Sequence, residues 1–168
     1  MTGRFKRRDF LSKGWKFGAG LIGGAGAWTS WDVLQARESS GLGGVFRALP
    51  EDSVPTDSTV YVREAQAYLT RVDGEILAVW QRCPHLGCRV AWCDSSGQFE
   101  CPCHGSTFNR VGEHRTGPAP FGMQRFGVQV VEGVVEVDTG NVSAGPPLGT
   151  ETIDEPIRGP ACLGGNES

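Results

Sequence analysis

Beyond Lys16 the chain has no lysine at all. The 168 residues carry a formal net charge of −3, yet residues 1–16 hold six basic side chains (Arg4, Lys6, Arg7, Arg8, Lys13, Lys16) against Asp9. That head is +5, so the remainder is −8. An acidic body excludes the basic folded face that nucleic-acid binding requires. A basic head fits a segment kept on the cytoplasmic side of a membrane. Helical periodicity is missing from the body, where no stretch of eleven or more residues shows it. Repeats are missing too, apart from two Cys/His boxes described below. Hydrophobic content of 39% with 21% charged residues excludes a wholly disordered chain. The 25 glycines and 10 prolines point to an all-β fold with many turns, together with linkers.

The N-terminus reads as an address. Arg7-Arg8-Asp9-Phe10-Leu11 has the pattern of a twin-arginine export signal. An apolar, glycine-rich stretch follows over residues 17–31, and no Ala-x-Ala cleavage site comes after it, the next residues being Asp32-Val33-Leu34-Gln35-Ala36-Arg37. An uncleaved signal would stay as one transmembrane helix, with Trp28 and Trp31 at the outer interface. Fifteen residues reach only roughly 22 Å, short of the about 20 residues a span needs. Extending to residues 15–34 brings Lys16 and Asp32 into the ends. Gly14-x-x-x-Gly18 and Gly20-x-x-x-Gly24 would admit a close helix neighbour, or arise by chance in a glycine-rich core. The expected placement is single-pass in the cell membrane, N-terminus cytoplasmic, with the folded head on the outer face.

Four segments are expected: a signal and anchor over 1–37, a flexible hinge linker over 38–44, a folded domain over 45–139 and a poorly ordered Pro/Gly-rich tail over 140–168. Within the domain, residues 59–63, 67–72 and 76–81 are strand-like runs. Asp73-Gly74 joins the last two as a hairpin, and Glu132-Gly133 joins 126–131 to 134–138 as another.

Chemistry concentrates in two boxes, Cys83-Pro84-His85-Leu86-Gly87-Cys88 and Cys101-Pro102-Cys103-His104-Gly105-Ser106. Two cysteines and two histidines at such spacing first suggest tetrahedral zinc. Zinc fingers, however, lack a second cysteine placed symmetrically in each loop. Both runs closely resemble the two cluster loops of Rieske proteins, in which two His replace two Cys on one iron of a [2Fe–2S] cluster.

That resemblance implies an antiparallel β-sandwich with a small cluster-binding subdomain. It implies Cys83 and Cys101 as thiolate ligands of the inner iron and His85 and His104 as imidazole ligands of the outer iron. It also implies a disulfide between Cys88 and Cys103, a pair that soluble Rieske ferredoxins and ring-hydroxylating oxygenases usually lack. Such a bond needs an oxidising compartment, in agreement with export. Gly117-Pro118-Ala119-Pro120 resembles the proline-rich loop covering the cluster in Rieske subunits of cytochrome bc and b6f complexes. Arg89-Val90-Ala91-Trp92-Cys93, following the first box, looks most like actinobacterial bc-complex Rieske proteins. Ser106 matches a hydroxyl donor to a bridging sulfide. Phe108 stands where high-potential members have a tyrosine donor to a ligand sulfur, and that loss should lower the potential.

The function implied is one-electron transfer from quinol to a c-type cytochrome, within a complex containing a cytochrome b-type subunit. His85 and His104 would meet the quinol and accept its proton, and the lowered potential favours menaquinol. Two other readings stand beside it: the small Rieske subunit of a molybdenum oxidoreductase such as arsenite oxidase, and a Rieske ferredoxin serving an oxygenase. An oxygenase catalytic subunit is excluded, because the length leaves no second domain for a mononuclear iron. Cys93 reads as a small buried residue and Cys162 as a free thiol in the tail; a Cys93–Cys162 disulfide is the alternative, which nothing local supports. His114 reads as a loop histidine, and Trp80 and Trp92 as core aromatics.

Overall fold

The computed structural model describes residues 7–34 and 43–162. The chain divides into two units, residues 1–39 and 40–168.

The described residues of the first unit form one helix, α1 (Arg7–Leu34). Twenty-eight residues at 1.5 Å each give about 42 Å, ample length for a span. Apolarity is what falls short. Among the described residues no helix is long and apolar enough to cross a membrane, which corrects the expected transmembrane helix on this criterion. The physical reason lies in the sequence: six glycines (Gly14, Gly18, Gly20, Gly23, Gly24, Gly26) interrupt the apolar run and add almost no apolar surface. Among the described side chains, Trp15, Phe17, Leu21, Ile22, Trp28 and Trp31 are exposed. The expected hinge over 38–44 lies outside the described residues except for Gly43 and Gly44. Their amides both donate to Thr139 Oγ1, at 3.0 and 3.1 Å, so they belong to the folded unit.

Among its described residues the second unit is all-β apart from one 3₁₀ turn at Glu51–Ser53. Its strands are β1 (Val45–Pro50), β2 (Val60–Val62), β3 (Ala67–Val72), β4 (Glu75–Trp80), β5 (Ala91–Cys93), β6 (Gln98–Glu100), β7 (Thr107–Phe108), β8 (His114–Thr116), β9 (Arg125–Val131) and β10 (Val134–Ser143). Six make a base sheet in the order β1-β10-β9-β4-β3-β2, and β5-β6-β7-β8 make a smaller sheet. Both expected hairpins form. Val72 pairs with Glu75 across Asp73-Gly74, and Val131 pairs with Val134 across Glu132-Gly133. Positive φ at all four turn residues matches the twist of the strands they join.

Period-two alternation lets β3 and β4 serve two cores at once. Ala67, Leu69 and Ala78 face one core with Val135, Val137 and Phe126. The cross-strand pair Tyr68 and Val79 faces the other, with Val90, Phe99, Phe108 and Met123. That second core also contains Cys83 and Cys101. The base sheet is thereby the floor on which the Cys/His boxes rest.

The tail departs from expectation. Strand β10 runs to Ser143, and residues 144–162 lie against the small sheet as a strap. Gly122 donates its amide to Pro146 O (2.7 Å), and the Arg158 amide donates to Ser96 O (3.0 Å). Arg110, 5% exposed, donates from Nε to Glu155 Oε1 (2.8 Å). Pro and Gly content suggested disorder, but the strap gains its order from polar contacts far away in sequence.

Candidate metal centre

The two boxes form loops of nearly identical backbone design. In the first, the Cys83 amide donates to Cys88 O (2.8 Å) and Gly87 N–H donates back to Cys83 O (2.9 Å). In the second, the Cys101 amide donates to Ser106 O (2.9 Å) and Gly105 N–H donates to Cys101 O (3.2 Å). Each loop turns through a glycine at positive φ, Gly87 at 77° and Gly105 at 72°, where a side chain would be strained. The repeated Cys-x-x-x-Gly spacing thus brings both first cysteines to the same point in two facing turns.

Those cysteines are the two free thiols among the described residues, and both are buried. Burial pushes the Cys83 thiol up; the backbone at His85 opposes this by hydrogen bonding, and the adjacent Cys101 thiol pushes it further up. Two buried sulfurs in mutual contact are poor sites for negative charge unless a cation joins them. Outside them lie His85, half-buried, and His104, exposed, with ring centroids 4.9 Å apart in an edge-to-face arrangement. Two inner thiols and two outer imidazoles make a mixed sulfur and nitrogen donor set, suited to a cluster with one buried and one accessible iron.

Cys88 and Cys103 form a disulfide that joins the tips of the two loops, with Cα atoms 6.6 Å apart. Leu86 stands beside it, 70% exposed. A third loop, between β8 and β9, covers the second box. The Ala119 amide donates to Ser106 Oγ at 3.2 Å, and both residues are buried. At Gly117 a Cβ would sit 2.5 Å from Ser106 Cα, so only glycine fits the close approach. Phe108, fully buried, occupies the same core as Cys83 and Cys101.

Aromatic rings tie this unit to the base. Tyr61, Tyr68, Phe99 and Trp92 follow one another at centroid separations of 4.9, 5.0 and 5.1 Å. Tyr68 Oη donates to Val90 O (3.2 Å), and burial raises its phenol pKa. Trp80 and Trp92 are half-buried rather than fully core, Trp80 under the Arg82 guanidinium at 5.6 Å.

Three features escape a reading of the sequence. Cys93 and Cys162 form a second disulfide, across 69 residues, so neither is the free or merely buried cysteine expected. Their pairing depends on the strap, which brings Cys162 to β5. His114 lies on β8, not in a loop, and its Nε2 meets Gly117 O at 3.0 Å. Glu113, 1% exposed, accepts from Asn109 Nδ2 (2.6 Å), the Thr152 amide (3.0 Å) and Thr152 Oγ1 (2.5 Å). Asn109 and Thr152 carry no sequence signal for this, since the three meet only in the fold.

A β-domain with two facing Cys/His loops, a disulfide between their tips and two buried free thiols defines an iron–sulfur protein of the mixed-ligand class. The model of the Rieske [2Fe-2S] domain matches residues 45–130, half of the chain, and the chain belongs to that family. One [2Fe–2S] cluster is the cofactor this membership implies. Among curated proteins, the chain is 27% identical over 136 residues to the cytochrome b6-f complex iron-sulfur subunit of Chlorobaculum thiosulfatiphilum, covering 75% of this chain and 71% of that one. It is 52% identical over 54 residues to iron-sulfur subunit 2 of the Cyanophora paradoxa cyanelle b6-f complex, covering 32% and 22%. Among solved structures, the plasma membrane Rieske protein PetC3 from Synechocystis PCC 6803 is 30% identical, covering 48% of this chain and 83% of that one, with a TM-score of 0.40.

Proposed function

We propose that this chain is the Rieske electron-transfer subunit of a bc-type quinol:cytochrome c oxidoreductase, with Cys83, His85, Cys101 and His104 as cluster ligands. The observation that carries the reading is the similarity to a b6-f iron-sulfur subunit over 136 residues, well beyond the two boxes. The Cys88–Cys103 disulfide supports it against a soluble ferredoxin, and the Gly117-Pro118-Ala119-Pro120 loop supports it against a molybdenum-enzyme subunit.

When bound, the cluster supplies a one-electron couple. The chain's own groups do the rest. Cys83 and Cys101 hold the buried side, and the disulfide keeps the loops from parting. His85 and His104 stand at the accessible tip beside exposed Leu86, which offers an apolar surface to a quinol ring. A ring nitrogen of His85 or His104 would take the quinol proton. The one-electron step would lead toward a c-type haem in a neighbouring subunit. Phe108 in place of a hydroxyl donor favours menaquinol as the reductant.

The exposed apolar side chains of α1 need a covering, and lipid together with a cytochrome b-type subunit would provide it. In this reading the twin-arginine segment exports the folded head to the outer face, and α1 holds the head at the membrane through its exposed apolar side chains and the helix neighbours that its glycines admit. The test is purification of the tagged full chain from detergent-solubilised membranes, with haem spectra. Co-purifying b- and c-type haems are expected. A haem-free chain, or one bound to a molybdopterin enzyme, would overturn the assignment.

A further inference from the structure

Behind the second box, a side chain that no ligand role uses connects to the one buried hydroxyl beside it. His114 Nε2 lies 3.0 Å from Gly117 O. A carbonyl oxygen only accepts, so Nε2 carries the proton and donates. The ring packs edge-on against Phe108, its cross-strand partner, at 5.8 Å between centroids, and this fixes its orientation. The Thr107 and Thr116 hydroxyls, 2.9 Å apart, hold the same strand pair in register.

The bond to Gly117 holds the third loop where its backbone touches the second. Gly117 has φ of 91° and leaves no room for a Cβ over Ser106. Two residues on, the Ala119 amide donates to Ser106 Oγ. An oxygen that accepts along one lone pair has its own proton directed elsewhere. Ser106 is 1% exposed, and among the described residues its hydroxyl proton finds no acceptor. A buried donor without a protein partner is costly unless something else accepts from it. The sulfur of a cluster held by Cys101 is such an acceptor.

We propose that His114 is a positioning residue for the redox site: by holding the Gly117 carbonyl, it keeps the third loop on the second, so that the Ala119 amide turns the Ser106 hydroxyl toward the bound cluster. This rests on the reading of Ser106 as a donor to cluster sulfur. Hydrogen bonds to the sulfurs favour the reduced form, so releasing the loop lowers the potential.

The experiment is voltammetry of the full chain in detergent, with iron content measured for each variant. His114→Phe keeps the ring contact with Phe108 and removes only the donor. It is expected to weaken reduction about fivefold, roughly 40 mV at 59 mV per tenfold change for one electron. His114→Gln retains a donor and should recover most of that shift. The double variant His114→Phe with Ser106→Ala should match Ser106→Ala alone, because both act through one hydroxyl. An unchanged potential in fully loaded His114→Phe, or a shift that adds to that of Ser106→Ala, would overturn the proposal. Should His114→Phe not retain its cluster, His114→Asn, whose amide falls short of Gly117, must show the lowered potential instead. If Ser106→Ala itself leaves the potential unchanged, it is the reading of Ser106 that fails.

Discussion

The two disulfides of the head lie at opposite ends of the β5–β6 hairpin and belong to different kinds of structure. At the front, Cys88–Cys103 joins two loops that are near copies of each other, each closed by its own backbone hydrogen bonds. At the back, Cys93–Cys162 seals a strap that has no regular structure and is held by Glu113, Arg110 and Glu100. The front is local: its partners lie 15 residues apart. The back is global, closing 69 residues and touching Glu113 just before β8, Gly122 just before β9 and Cys93 at the end of β5. Front chemistry sets what the head can bind, and back packing sets how firmly the loops are held to the floor.

Ranked by stability, the back bond should matter more. Loop-closure entropy gives about 4 kcal/mol for the longer ring and about 3 kcal/mol for the shorter. Thermal unfolding of Cys162→Ser should therefore show the larger loss, measured by calorimetry on the loaded protein. Cluster retention should rank the other way. Cys103→Ser is expected to lose its visible absorbance faster on warming, because among the described residues that bond is the covalent link between the two Cys/His loops. If Cys162→Ser loses the cluster faster than Cys103→Ser, the division between front and back is wrong.

This contrast also explains what the sequence discloses. The boxes, the hairpin turns and the all-β character are legible because each depends on residues within a few positions of one another. The Asp73-Gly74 turn and the Gly87 and Gly105 turns need only local backbone geometry. The strap is illegible for the opposite reason. Its order comes from Thr152 meeting Glu113 and Cys162 meeting Cys93, contacts across 39 and 69 residues that no local pattern encodes. His114 is illegible as a strand residue likewise, since β8 is three residues long and defined by its partner β7. The helix at the N-terminus was legible as an element, but its glycines left its apolarity short of the expectation.

Smaller effects sharpen the comparison. Glu113→Gln removes the charge that the strap hydrogen-bonds at Thr152, and should cost about 1–3 kcal/mol in chemical denaturation without displacing a ligand. Phe108→Tyr should raise the midpoint potential by tens of millivolts, since a tenfold change in a one-electron equilibrium is 59 mV. An unchanged potential in a loaded protein would mean that Phe108 does not adjoin a ligand sulfur. In the cluster-free chain, burial holds the Cys83 proton above the ordinary thiol pKa of about 8.5. The folded form then binds more protons than the unfolded one as pH rises past that value, so its stability should fall with pH until Cys83 ionises. Denaturation midpoints of the apo-protein across alkaline pH, compared with Cys83→Ser, would show the slope or its absence.

The central claim is that Cys83, His85, Cys101 and His104 hold one [2Fe–2S] cluster. Elemental analysis of the native protein combined with EPR of its reduced form tests it most directly. The account predicts about two irons and two acid-labile sulfides per chain, a spectrum of mixed nitrogen and sulfur ligation, and loss of both in His104→Ala. Zinc in place of iron, or an unaltered spectrum in His104→Ala, would contradict it.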